Sequence, residues 1–217
     1  NQYDGSFWAN STITGKWEDH VVKEIPALIN SLYRTKTGPE NTGISGFSMG
    51  GFAAIHLGMQ HPNIFGHIDS ISPPLYFEPI KINEGMRIKA IICAFAPEYI
   101  LRETGQNVDS RELTSFINHL VPEQNVISMI DQNFGKTYLT NLVSEYSRAH
   151  NSHQRILIEY GKHDQKSFVR SGSEVFSDLL RKNGILHDLT VFDGGHTVST
   201  RIEPSFLPFF VEGFNPD

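Results

Sequence analysis

Residues 46–51, G-F-S-M-G-G, preceded by Ile44-Ser45 and followed by Phe52-Ala53-Ala54, constrain this chain more than any other stretch. A G-x-S-x-G spacing suits a strand that turns sharply into a helix and pushes its serine out of the sheet. Gly46 and Gly50 are expected where neighbouring backbone leaves no room for a β-carbon, and Ser48 where the turn strains the backbone. Such a pattern also arises by chance, so its surroundings must decide. They agree with the turn. A short apolar stretch leads into the serine, and residues 50–60 read as a buried helix of small side chains with its N-terminus beside Ser48.

The rest of the chain alternates strand and helix signals. Residues 1–14 read as loop. A helix is expected over 16–33: Glu18 and Asp19 suit its first turn, and Val21, Ile25, Leu28, Ile29 and Leu32 recur at helical spacing. Pro26 should bend it. Gly38-Pro39 marks a turn before a short strand at 42–45, and a further strand at 67–72 stops at Pro73-Pro74. Residues 88–96 are apolar enough for a strand or a short helix, and periodicity does not arbitrate. Helices are expected over 110–120, where Asp109 and Glu112 are spaced as a capping box, over 122–134, and over 137–150 with Leu139, Leu142, Val143 and Tyr146 on one face. This block reads as a helical insertion at about 97–150 over the sheet, either plain packing or a lid lining an acyl pocket. Strands at 155–160 and 187–192 flank a helix at 168–182, and a Phe- and Pro-rich helix from about residue 199 closes the chain. No repeat or linker interrupts residues 1–217, which read as one α/β domain.

Composition narrows the partners. The chain has 217 residues, enough for a substantial core without disulfides or metal. Its net charge of −6, with no basic run, argues against nucleic acid. The single cysteine, Cys93, lies in an apolar run and reads as a buried core thiol. No stretch reaches the roughly 20 apolar residues of a membrane span. His150 and His153 have no nearby carboxylate or cysteine to complete a ligand set, so no metal site is expected. The compartment stays open.

The chemistry follows from where three residues fall. Ser48, Asp164 and His196 each directly follow an expected strand, and reactive groups of a parallel sheet gather on loops at the strands' carboxyl ends. Their order, Ser then Asp then His, is that of the α/β-hydrolases. In such an arrangement His196 takes the serine proton and returns it to a leaving alcohol, while Asp164 fixes the imidazole tautomer. The N–H of Met49, at the helix start, is placed to donate to an oxyanion. Asp193 and Asp188 are rivals for the acid, Asp193 reading as a residue that holds its own turn, and Asp164 has an alternative as a turn or helix-cap residue. His163 reads as solvent-exposed. Trp8 and Trp17 read as core or pocket-wall residues.

G-S-F-W-A-N-S (5–11), K-W-E-D (16–19), E-I-P (24–26), G-F-S-M-G-G (46–51), H-P-N-I-F (61–65), G-K-H-D (161–164) and G-G-H (194–196) together resemble the esterase branch of the α/β-hydrolases. That branch includes esterase D (S-formylglutathione hydrolase), carbohydrate acyl esterases and mycolyltransferases. The resemblance implies a three-layer α/β-hydrolase sheet with helices on both faces, and a serine carboxylesterase without metal or organic cofactor. It places Ser48, Asp164 and His196 at the triad positions. The expected substrates are short-chain or small acyl esters, including carbohydrate acyl esters, cleaved through an acyl-enzyme. Alternatives are acyl transfer to an alcohol and a catalytically silent binding module.

One departure stands out. Members of the branch carry a block upstream of the G-S-F-W-like segment that holds the early strands and the second oxyanion donor, and it has no counterpart here. The strand before Ser48 would then present a bare edge. Either the sequence is a fragment of a longer protein, or a homo-oligomer covers that edge.

Overall fold

The computed structural model describes residues 5–77, 88–95, 97, 100, 124–149 and 154–215. The expected helix at 110–120 and the His150/His153 pair lie outside them. Two short strands, β1 (Asn10–Ser11) and β2 (Gly15–Lys16), form a small hairpin that starts in the segment read as loop and ends on the first residue of the expected helix. A helix then runs without a break from α1 (Trp17–Asp19) through a π turn (His20–Glu24) into α2 (Ile25–Leu32). The π turn ends just before Pro26, which lacks the N–H a regular helix would use there.

Four parallel strands make the main sheet, in the order β3 (Gly43–Phe47), β4 (His67–Ile71), β5 (Arg155–Gly161), β6 (Asp188–Phe192). Gly43 pairs with His67, His67 with Arg155, and Leu157 with Asp188. The helices are α3 (Met49–Gln60), α4 (Ile88–Phe95), α5 (Gln124–Asn133), α6 (Lys136–Arg148), α7 (Ser167–Lys182) and, after a second π turn at Ile202–Phe206, α8 (Leu207–Phe214). Residues 88–95 of the undecided stretch are therefore helical.

Strand alternation divides the core. Ile68, Ile156 and Ile158 face one side, where they join Phe52, Ile55 and Met59 of α3, Leu139, Leu142, Val143 and Tyr146 of α6, and Phe176 and Leu180 of α7. The expected face of the 137–150 helix is thus the buried one. On the other side, Phe209, Phe210 and Phe214 of α8 surround the ring of His67. A β-carbon on Gly43 would lie 2.1 Å from the Phe210 ring, so glycine lets α8 rest directly on the sheet edge. Helices cover both faces, and the fold is that of an α/β-hydrolase.

The apolar stripe of α2 is largely exposed. Val22 packs with Leu57 and Phe65, yet Leu28 and Leu32 are 57% and 64% exposed. Among the described residues β3 has a strand neighbour on one side only.

Candidate active site

The turn after β3 stores strain at a single residue. Ser48 has φ 55° and ψ −117°, a region that side-chain-bearing residues rarely occupy. Its N–H donates to the carbonyl of Ile71 at 2.8 Å, which ties the turn to the end of β4. A β-carbon on Gly46 would lie 2.0 Å from the Gly50 oxygen, and one on Gly51 would lie 2.8 Å from the Ile71 oxygen. Gly50 differs from the sequence expectation: its β-carbon would meet only the Trp8 ring, at 3.8 Å, an ordinary contact. The two positions that need glycine are therefore 46 and 51, because α3 crosses the end of β4 at residue 51.

Loops after β5 and β6 bring the other two candidates to the same rim. Lys162 N–H donates to the Phe192 carbonyl at 2.9 Å, and His163 N–H to the Gly194 carbonyl at 2.9 Å. Gly161 makes this stapling feasible, since a β-carbon there would sit 2.3 Å from the Gly195 oxygen. His196 Nδ1 lies 2.7 Å from Asp164 Oδ2, and its Nε2 lies 2.9 Å from Ser48 Oγ. A carboxylate on Nδ1 selects the tautomer with hydrogen on that nitrogen, leaving the Nε2 lone pair for the serine hydroxyl. Asp164 has its side chain fully buried. Its other oxygen accepts the Lys166 N–H at 2.9 Å in the turn leading to the Ser167–Lys182 helix, so the turn reading and the acid reading of Asp164 use one oxygen each.

The rivals fall elsewhere. Asp193 is almost fully exposed and pairs with the exposed His163 at 3.1 Å rather than holding its own turn, and Asp188 is exposed at the start of β6. Met49 opens α3, so its N–H has no acceptor within the helix and points along the same end as Ser48. Trp8 belongs to the wall of the site rather than to the core: Phe7 and Trp8 both have positive φ, and the Phe7 ring turns inward against Phe52 and Phe134 while Trp8 stays over Gly50. Trp17 is likewise partly exposed, its indole N–H donating to the Thr14 carbonyl at 2.6 Å.

Sequence reasoning passed over three residues here. The Phe47 ring lies 4.7 Å from the His196 ring and walls the imidazole. Lys166 brings its ammonium nitrogen 3.4 Å from His196 Nε2, and no signal in the sequence distinguishes it from other surface lysines. Glu159 is fully buried and receives Arg201 Nε at 2.9 Å and Ser205 Oγ at 2.7 Å. A lone charge inside the apolar run I-L-I-E-Y could have flagged it, because a buried carboxylate requires partners. Beside it, burial pushes the Asp69 carboxyl up to about 7, the nearby Glu159 charge adding to the effect while Ser45 and Arg201 oppose it. Among the described residues no group of three or more His, Cys, Asp or Glu side chains could hold a metal, and no helix is long and apolar enough to cross a membrane.

Solved structures with this fold are distant in sequence. A ferulic acid esterase superposes with a TM-score of 0.58 at 18% identity, covering 97% of this chain and 65% of its own. A CE1 ferulic acid esterase from Anaeromyces mucronatus gives 0.58 at 17% identity, covering 92% of this chain and 54% of that one. An S-formylglutathione hydrolase from Staphylococcus aureus gives 0.60 at 13%, covering 96% and 68%. The chain thus spans less than two thirds of the length of the two ferulic acid esterases. No curated protein sequence matches it. The sequence profile of the family described as "Putative esterase" matches residues 6–208, and the chain belongs to that esterase family.

Proposed function

We propose that the chain is a serine carboxylesterase acting on esters of small acyl groups through an acyl-enzyme. The observation that carries this reading is the unbroken line from Asp164 through His196 to a strained Ser48, at 2.7 and 2.9 Å. In the first half-reaction Ser48 Oγ bonds to the acyl carbon as its proton passes to His196 Nε2. The tetrahedral oxygen takes a hydrogen bond from the Met49 N–H, an interaction whose loss costs about 100- to 1,000-fold in rate in related chemistry. The bond to the leaving oxygen then breaks, and Nε2 returns its proton to that oxygen. Water repeats the sequence on the acyl-enzyme: Nε2 takes its proton, the acyl–Oγ bond breaks, and Ser48 recovers the proton as the acid departs. Family membership supports the reaction class.

The test is turnover of p-nitrophenyl acetate and labelling by a fluorophosphonate. Ser48→Ala should lower turnover by at least about a thousandfold and abolish labelling while the melting temperature holds. Wild-type turnover in that variant, or failure of the unaltered chain to label, would refute the reading.

A further inference from the structure

Lys166 is the residue at this rim that the esterase reading leaves without a task. It immediately precedes α7, where the aligned helix dipole disfavours a cation. Among the described residues it forms no ion pair with a carboxylate, and its ammonium nitrogen instead lies 3.4 Å from His196 Nε2. That atom becomes a cationic N–H once the serine proton arrives, so an unaccompanied ammonium beside it opposes the first chemical step. The conflict disappears if an anion joins the ammonium when substrate binds. The geometry also says which part of the substrate supplies it. Met49 N–H, at the start of α3, takes the acyl oxygen, whereas Nε2 delivers its proton to the leaving oxygen. Lys166, 3.4 Å from that same Nε2, is assigned to the leaving-group side on this proximity.

We propose that Lys166 binds a carboxylate on the leaving alcohol, which makes the preferred substrates acyl esters of small hydroxy acids. A leaving oxygen about 3 Å from Nε2 puts a carboxylate one or two carbons further on within reach of the ammonium. This inference rests on the esterase reading and adds to it a charge requirement on the alcohol half.

The experiment compares O-acetylglycolate with its neutral amide, 2-acetoxyacetamide, for the unaltered chain, Lys166→Met and Lys166→Arg, with p-nitrophenyl acetate as a neutral reference. The unaltered chain should favour the anionic ester by about tenfold in kcat/KM, the gain of one partly solvated charge-assisted contact. Most of that preference should appear in KM and shrink with added salt. Lys166→Met should erase the preference, and Lys166→Arg should keep most of it. Equal use of both acetyl esters by the unaltered chain, or equal losses on both in Lys166→Met, overturns the inference while leaving the esterase reading intact. No turnover of any of the three esters overturns the esterase reading and this inference with it.

Discussion

Two buried titratable groups set opposing pH dependences of stability. Asp69 on β4 is fully buried; its Oδ2 accepts the Ser45 hydroxyl at 2.8 Å and its Oδ1 has no partner. Burial raises its pKa from 3.8 to about 7. His56 on α3 stacks on Phe52, bonds the Tyr138 hydroxyl through one nitrogen and leaves the other without a partner. Burial lowers its pKa from 6.5 to about 4. Between pH 3.8 and about 7 folded Asp69 holds a proton that the unfolded chain has lost, so its contribution is fully present below 3.8 and disappears as pH rises. Between 6.5 and about 4 the unfolded chain binds a proton that folded His56 refuses, so stability is lost as pH falls. At about 1.4 kcal/mol per pH unit, Asp69 spans about 4 kcal/mol and His56 about 3. The windows overlap and the slopes largely cancel. His67, also pushed down by burial, adds to the loss on the acid side. Asp69→Asn removes one slope. Relative to the unaltered chain, the variant should gain about 4 kcal/mol between pH 4 and pH 8, on top of a constant offset from the substitution. Urea unfolding followed by tryptophan fluorescence at several pH values measures this difference. A difference between the two proteins that does not change with pH would refute the account.

Two further substitutions test the packing around the site. Gly46→Ala should abolish fluorophosphonate labelling and lower the melting temperature, because its β-carbon would sit 2.0 Å from the Gly50 oxygen, whereas Gly50→Ala should retain both; the reverse order would overturn the packing argument. Arg201→Met strands the buried Glu159 charge and should cost about 3–5 kcal/mol in urea unfolding, with much of the loss recovered by adding Glu159→Gln. A loss below about 1 kcal/mol would show that the Glu159 charge is compensated elsewhere.

The sheet and the meeting of Ser48, Asp164 and His196 were legible because each residue stands just past a strand whose apolar run is plain in the sequence. The local signals at 46–51 foretold a tight turn but misassigned its second obligatory glycine, since close approach depends on where α3 crosses β4. The α2 stripe was legible as a sided helix but not its exposure, because helical periodicity does not report what stands opposite. Residues 88–96 could not be resolved, because strand and buried helix both accept an unbroken apolar run. Lys166 was invisible for a different reason: its closeness to His196 arises from two loops meeting across 30 positions of chain.

Glu159 reaches both halves of the rim from beneath. Its carbonyl receives the Ser72 N–H at 2.7 Å, next to Ile71, whose own carbonyl holds Ser48; its carboxylate grips Arg201, five positions past His196. The spacing between hydroxyl and imidazole is therefore governed by a clamp on the opposite side of the sheet from α3. If warming releases the carboxy-terminal segment first, the reactive rim goes slack while the helices around Phe52 and Phe176 remain assembled, and the molecule falls silent before it melts.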